Sequence, residues 1–367
     1  MQTNLFDVVK QFSIRGMPQT IESFGSGHIN DTFKVVNSVP AYPDYVLQRI
    51  NHYIFPDIPG LMQNMERVTR YIRKKLRQAG EEDPDRHVLK VVPAKDDKLF
   101  YKDKNGNYWR TVLYIPGGKT YDIVDSPEKA YQGGRAFGRF QALLSDFPPP
   151  PLAETIPDFH NIEKRLQTFR RVVENDPLGR AVKVKDEINM VSTRVEEMMT
   201  LHKLGQAGEI PLRITHNDTK FNNILFDEKD NVLCILDLDT VMPGFVHYDF
   251  GDAIRTCANT GAEDDKNLQR VSLDIRLFKA YAEGFLEETA DFLQPIEIEY
   301  LAFSAKLFAY SQALRFLTDY IDGDRYYKIH FPEHNLQRTR AQFKLLQSME
   351  KQYGEMKEII KRITNTE

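Results

Sequence analysis

A chain of 367 residues, 41% hydrophobic and 28% charged, can bury a sizeable core as one large domain or two lobes. Its formal net charge of -4, with both signs mixed along the chain, leaves no overall basic field for nucleic acid or an anionic membrane. Two cysteines, Cys234 and Cys257, make no disulfide framework, residues 1–15 lack a leader pattern, and no window reaches the ~18 uncharged apolar residues of a membrane span. The expectation is a soluble cytoplasmic protein.

β signals open the chain. Segments 21–24 and 32–36 flank Gly25-Ser26-Gly27, and 45–50 follows a turn at 40–44. Met62, Met65, Val68, Ile72 and Leu76 recur at spacings of three and four, which predicts a helix over 59–78 ending at Gly80. Strands are expected at 88–93 and 108–115, the second broken by Pro116-Gly117-Gly118. Helical periodicity then dominates, at 135–144, 186–204, 296–321 and 336–363. Within it lies a β patch over 213–238, with short apolar strands at 224–226 and 232–236. A β-rich first third and a helical remainder give an α+β bilobal layout, a smaller N-terminal lobe 1–116 and a larger C-terminal lobe 117–367, with the ligand expected in the crevice. The last helix carries one apolar stripe, Phe343, Leu346, Met349, Tyr353, Met356 and Ile360, expected to pack on its own domain in a monomer.

Chemistry concentrates in His216-Asn217-Asp218-Thr219-Lys220-Phe221-Asn222-Asn223 and the strand that ends in Asp237. Pairing of the two short strands as a hairpin brings Asn223 and Asp237 to one end. They offer a neutral and a charged oxygen to Mg²⁺, which takes few protein ligands and completes its shell with water and phosphate. Asp218, on the preceding loop, is placed to accept a proton from an attacking hydroxyl, as phosphoryl transfer requires. Each of these residues alone reads as an ordinary turn residue; their joint spacing between apolar strands carries the functional reading.

The run from Ile214 to Leu225, with Ile235-Leu236-Asp237-Leu238-Asp239, resembles the aminoglycoside phosphotransferase and choline kinase superfamily, which has a protein-kinase-like fold. More narrowly, His216-Asn217-Asp218-Thr219-Lys220, the run from Asp237 to Gly244, and Tyr248-Asp249-Phe250-Gly251-Asp252 resemble the N-acetylhexosamine 1-kinases. The likeness extends to the runs from Gly25 to Thr32, Val46 to Asn51 and Leu314 to Tyr320, nearly the whole chain.

The resemblance implies ATP and Mg²⁺ as cofactors, Asp218 as catalytic base, and Asn223 and Asp237 as metal ligands. His216 would hold the loop, and Asp249 and Asp252 would brace it by accepting backbone hydrogen bonds, helix capping being their alternative role. Gly25, Ser26 and Gly27 would close over phosphates through backbone N–H groups, unless they form an ordinary hairpin turn. His28, Arg315 and Tyr326 would contact the sugar alongside Asp218. For Arg315 the alternative is an ion pair with Asp319 at i+4, and for Tyr326-Tyr327 simple packing. Where protein kinases carry a lysine on the third strand, Tyr45-Val46-Leu47-Gln48-Arg49 has none. Arg49 or Gln48 can face the phosphates but not both, with Glu66 or Asn64 as helix partner. Backbone groups near Tyr114, in the expected linker 111–115, would bind adenine.

The implied reaction is transfer of the ATP γ-phosphoryl to the anomeric hydroxyl of N-acetylglucosamine or N-acetylgalactosamine, with lobe closure excluding water. Three rivals compete. A kinase of choline, homoserine, a nucleoside or an aminoglycoside would, for cationic acceptors, favour an acidic aromatic pocket, whereas the last helices carry Lys328, Arg338, Arg340 and Lys344. A protein kinase is opposed by the absence of an Ala-Pro-Glu-like stretch after Asp252, and a non-catalytic scaffold needs none of Asp218, Asn223 and Asp237.

Overall fold

The computed structural model describes residues 4–25 and 29–364. Three expected site residues, Ser26, Gly27 and His28, lie outside the described residues. Two compact units emerge, the first from Met1–Thr120, Asp146–Pro157 and Ile224–Pro243, the second from Tyr121–Ser145, Asp158–Asn223 and Gly244–Glu367. After Thr120 the chain returns to the first unit twice.

The first unit opens with α1 (Leu5–Val9), β1 (Pro18–Ser23), β2 (Asp31–Asn37), β3 (Tyr45–Ile50) and α2 (Ile58–Gln78), followed by β4 (Val91–Val92), β5 (Tyr101–Lys102) and β6 (Tyr108–Leu113). The strands form one antiparallel sheet in the order β1-β2-β3-β6-β4, with β5 also on β6. Period-two alternation sends Val35, Tyr45, Leu47 and Trp109 to one face, where they bury Val8, Val9 and Phe12 of the α1 segment. The register Gln48↔Arg110 and Arg49↔Trp109 then sets which polar residues share a face.

Helix α2 starts where the Asp57 carboxylate accepts the Gly60 N–H at 2.9 Å. A Cβ at Gly60 would stand 2.1 Å from Asp57 Oδ2, so glycine is required by that cap. Its predicted stripe, Met62, Met65, Val68, Ile72 and Leu76, is buried throughout. Asn64 is buried as well, donating to the carbonyls of Ala153 (2.8 Å) and Val241 (3.1 Å) and accepting the Ala153 N–H (2.9 Å). A hairpin of Ile224–Phe226 and Val232–Ile235 completes the unit, pairing Ile224 with Ile235 and Leu225 with Cys234.

The second unit contains α3 (Pro127–Leu144), α4 (Ile162–Asn175), α5 (Lys185–Ser192), α6 (Val195–Met198), α7 (Thr200–Gln206), α8 (Val246–Cys257), α9 (Ile275–Thr289), α10 (Pro295–Glu299), α11 (Leu301–Asp322) and α12 (His334–Thr364). Helices α3 and α9 approach backbone to backbone. A Cβ on Gly134 would lie 2.1 Å from the Tyr281 carbonyl oxygen, and one on Gly284 equally close to that of Tyr131. Helix α11 packs on α4, α8 and α12, and the α12 stripe Phe343, Leu346, Met349, Met356 and Ile360 is buried in its own unit. The helix expected over 186–204 breaks into α5, α6 and α7. Ser192 and Thr193 donate their hydroxyls back to the Ile188 and Asn189 carbonyls, each at 2.9 Å, in competition with the helical ladder. Helices α4, α8 and α9 lie beyond the expected set; in α8 the apolar positions are interrupted by His247, Asp249, Asp252 and Arg255, which the structure buries. Among the described residues no helix is long and apolar enough to cross a membrane.

Candidate active site

In the second unit the run 216–223 is held from below by α8. Asp249, buried in the first turns of that helix, accepts the His216 N–H at 2.8 Å and the Asn217 N–H at 2.7 Å. Gln141 of α3 donates its amide to the same carboxylate, and the Thr219 hydroxyl donates to the Asp249 carbonyl at 2.7 Å. Burial raises the Asp249 carboxyl above its ordinary range, while His216 and the loop N–H groups favour the ionised form.

The loop turns through Asn217, whose φ of 65° is left-handed, a conformation asparagine tolerates better than most residues. Asn217 Oδ1 accepts the Thr215 hydroxyl at 2.9 Å and its carbonyl faces His160 Nε2 at 3.0 Å. His216 lies edge-on between Phe137 and Phe140, with ring centroids 5.5 and 5.8 Å away, and its Nδ1 accepts the Asp218 N–H at 3.3 Å. This leaves the Asp218 carboxylate projecting from a loop fixed on both sides, a strained and over-determined turn of the kind found at reaction centres.

Lys220 Nζ stands 2.9 Å from Asp218 Oδ1, with its side chain about half exposed. Burial works against ionisation of Asp218, but the charge and hydrogen bond of Lys220, with the charge of Arg255 further off, outweigh it and hold the carboxyl below its usual range. Lys220 in turn is raised, first by Asp218. Asn223 directs its amide N–H groups to the Asp218 carbonyl at 2.8 Å and to Oδ2 at 3.3 Å. Its Oδ1 is the donor that remains for a hard cation. Asp252, one turn beyond Asp249, does not reach the loop backbone. Its Oδ1 receives Arg255 at 2.8 and 3.0 Å, and Arg255 continues to Glu263 at 2.9 Å. Neither aspartate is a helix cap, since both lie inside α8.

In the first unit two arginines on neighbouring strands differ in burial. Arg49 is exposed and pairs with Asp31. The buried cation is Arg110 on β6, 1% exposed, in an ion pair with Asp239 and donating to Gln48 Oε1 at 2.8 Å. Asn30 donates to the other Asp239 oxygen at 2.7 Å. Of the two residues expected as helix partner, Asn64 bonds backbone, and Glu66 makes no ion pair among the described residues. Asp237, at the end of the hairpin, is exposed with a left-handed φ of 52°. Gly25 also has positive φ, 80°, with open space where a Cβ would be. The Tyr114 N–H is taken by the Asp44 carbonyl at 3.1 Å, and its ring lies beneath Lys34 Nζ at 4.0 Å and against Phe24. An adenine there would have to use neighbouring backbone groups. Among the described residues no three His, Cys, Asp or Glu side chains gather around a metal-sized space.

A cavity of about 540 Å³ lies in the second unit, lined by Arg165, Thr168, Arg171, Arg315, Tyr326 and Tyr327 among others. It brings together Arg315 and Tyr326, which the sequence paired. The alternative ion pair of Arg315 with Asp319 is not formed. Both Asp319 oxygens are occupied, by the N–H groups of Arg325, Tyr326 and Tyr327 at 2.8–2.9 Å and by Asn335. Arg165, Lys220, Arg110 and Asp239 were given no role on sequence grounds. Lys220 and Asp239 carried a local signal, lying two residues from Asp218 and Asp237 respectively.

Residues 20–284 match the model of the phosphotransferase enzyme family (APH), so the chain belongs to that family. Its fold matches that of the microcompartment-associated aminopropanol kinase at TM-score 0.64, with 14% identity over 96% of this chain and 98% of that one. The amicoumacin kinase hAmiN, solved in complex with AMP-PNP, Ca²⁺ and Ami, matches at TM-score 0.61, with 13% identity over 99% and 95% of the two chains. The choline kinase of Cryptosporidium parvum Iowa II matches at 0.54, with 14% identity over 94% and 93%. The shared architecture is an antiparallel sheet region followed by a helical part, the α+β kinase-like fold.

Proposed function

We propose that this protein is a small-molecule kinase that uses ATP and Mg²⁺ to phosphorylate the anomeric hydroxyl of an N-acetylhexosamine, as a cytoplasmic monomer. The observation that carries the kinase reading is Asp218, presented by a left-handed loop on Asp249 and kept ionised by Lys220. A carboxylate so held can orient and deprotonate an attacking hydroxyl, while the ammonium beside it offsets charge on the transferring phosphoryl group. Positioning and electrostatics suffice, since phosphoryl transfer asks no covalent step of the protein.

Asn223 Oδ1 and the exposed Asp237 carboxylate are the oxygen donors proposed for the divalent ion, a hard-ligand set suited to Mg²⁺. Mg²⁺, when bound, would neutralise charge on the β- and γ-oxygens. The nucleotide and divalent ion named with the amicoumacin kinase support this pairing. The Gly25-Ser26-Gly27 turn is proposed for the phosphates and the backbone about Tyr114 for adenine. The sugar assignment rests on Arg315 and Tyr326 sharing one cavity, with His28 as a further contact from the sequence resemblance. Arginines lining that cavity disfavour choline-like or aminoglycoside cations as acceptors.

Incubation with ATP, Mg²⁺ and a panel of hexosamines, hexoses, choline and homoserine, followed by ³¹P NMR, is expected to give a sugar 1-phosphate. A phosphate ester on C6, or turnover of choline alone, would sink the 1-kinase assignment. Asp218→Asn should lower turnover by several orders of magnitude and leave ATP affinity within a few-fold.

A further inference from the structure

The cavity at α4 and α11 holds more positive charge than it neutralises. Arg165 and Arg315 both line it, and among the described residues neither forms an ion pair. Arg165 donates one terminal N–H to the Phe159 carbonyl at 2.8 Å, and Arg315 one to Gln312 Oε1 at 3.3 Å. The Nε atoms of both are buried without a hydrogen-bond partner. Burial, and then the charge of Arg315 beside it, push the Arg165 guanidinium down to about 10. The acids lining the cavity are engaged, Asp319 by three backbone N–H groups and Asn335, and Asp322 by Arg325 at 3.9 Å, while Asp158, whose charge also acts on Arg165, accepts from Asn161 at 2.8 Å. Arg171 lines the same space.

A buried N–H left unsatisfied costs about 1–3 kcal/mol, and more on a charged group. Two guanidinium ions side by side add mutual repulsion. A neutral hydroxyl can accept the hydrogen bonds but leaves both charges in place. A carboxylate or phosphate accepts the same bonds and cancels the charge, in the planar geometry that arginine forks match. We propose that this cavity binds an oxyanion, a carboxylate or phosphate carried by the acceptor away from its reacting hydroxyl, with Arg165 and Arg315 as its ligands. The inference rests on the reading that the cavity receives the acceptor, and it narrows the acceptor class to acidic sugars. The aromatic rings of Phe159, Tyr326 and Tyr327, with centroids 5.5–6.0 Å from the Arg315 guanidinium carbon, hold that group in orientation toward the space.

The test is steady-state kinetics of the full chain with saturating Mg·ATP and three acceptors: a neutral N-acetylhexosamine, the same sugar with a carboxylate in place of its hydroxymethyl group, and its 6-phosphate. The acidic sugars are expected to show KM at least tenfold below the neutral one, and Arg165→Met to remove that preference. Inorganic phosphate should compete with the acceptor, not with ATP, in the unmodified protein, a readout independent of whether the variant folds. Equal KM values for neutral and acidic sugars without phosphate competition would overturn the oxyanion site. Phosphate competition with no acidic preference would overturn its placement on the acceptor and leave a free anion as the ligand. Turnover of no sugar at all, with Arg165-dependent phosphate binding retained in calorimetry, would defeat the sugar reading while supporting the oxyanion site.

Discussion

Asp249→Asn should separate binding from chemistry. The Asp249 carboxylate accepts two loop N–H groups, from His216 at 2.8 Å and Asn217 at 2.7 Å, together with the Gln141 amide. An asparagine keeps one carbonyl oxygen and presents an NH₂ where the second acceptor was, so a buried backbone N–H faces a donor. Loss of charge assistance and one orphaned donor together amount to about 2–5 kcal/mol. Asn217 is left-handed at φ 65°, a conformation costing roughly 1–2 kcal/mol that these bonds sustain. Once they fail, the loop relaxes and carries Asp218 with it. A displacement near 1 Å at the reacting group lowers the rate on the order of 10²-fold. The expected phenotype is kcat down about a hundredfold with KM for ATP within threefold, measured by a coupled ADP assay, and a lowered Tm. A folded Asp249→Asn protein with kcat within threefold of the unmodified enzyme would refute the positioning argument.

Lys220→Met removes the charge that opposes burial at Asp218, so the acid limb of the kcat–pH profile should move to higher pH; an unmoved limb would detach Lys220 from the base. Burial pushes His160 and His247 down to about 4, so in both the unfolded state takes up a proton below pH 6.5 while the folded state stays neutral. Stability should therefore fall as pH drops from 6.5 toward 4, by roughly 2 kcal/mol per histidine at pH 5. Urea unfolding at pH 7 and pH 5 checks this, and His247→Gln should flatten part of the slope. Arg110→Met strands the buried Asp239 charge and should cost about 3–5 kcal/mol, while Arg110→Met with Asp239→Asn should recover much of it. Additive losses in that double-mutant cycle would show that the pair does not act as a unit.

What the sequence determined was whatever depends on near neighbours along the chain. The periodic stripe of α2 and the apolar face of α12 follow from backbone repeat alone, and the structure buries every position of the first and all of the second but Tyr353, which is half-buried. The run from His216 to Asn223 is compact enough that its spacing marked Asp218 and Asn223 as parts of one site, and the structure bonds the Asn223 amide to the Asp218 carbonyl. Tertiary structure decided what depends on register and on which elements meet. Gln48 and Arg49 have opposite parity on β3; the pairing of β3 with β6 put Gln48 beside Arg110, and its pairing with β2 set Arg49 opposite Asp31. Asp249 and Asp252 sit one turn apart on α8, and the packing of that helix under the loop chose the first as brace and gave the second to Arg255. Arg165 reaches Arg315 only because α4 packs on α11. Burial and charge environment are sums over residues distant in the chain, so no local pattern near Arg110 or Arg165 could announce them.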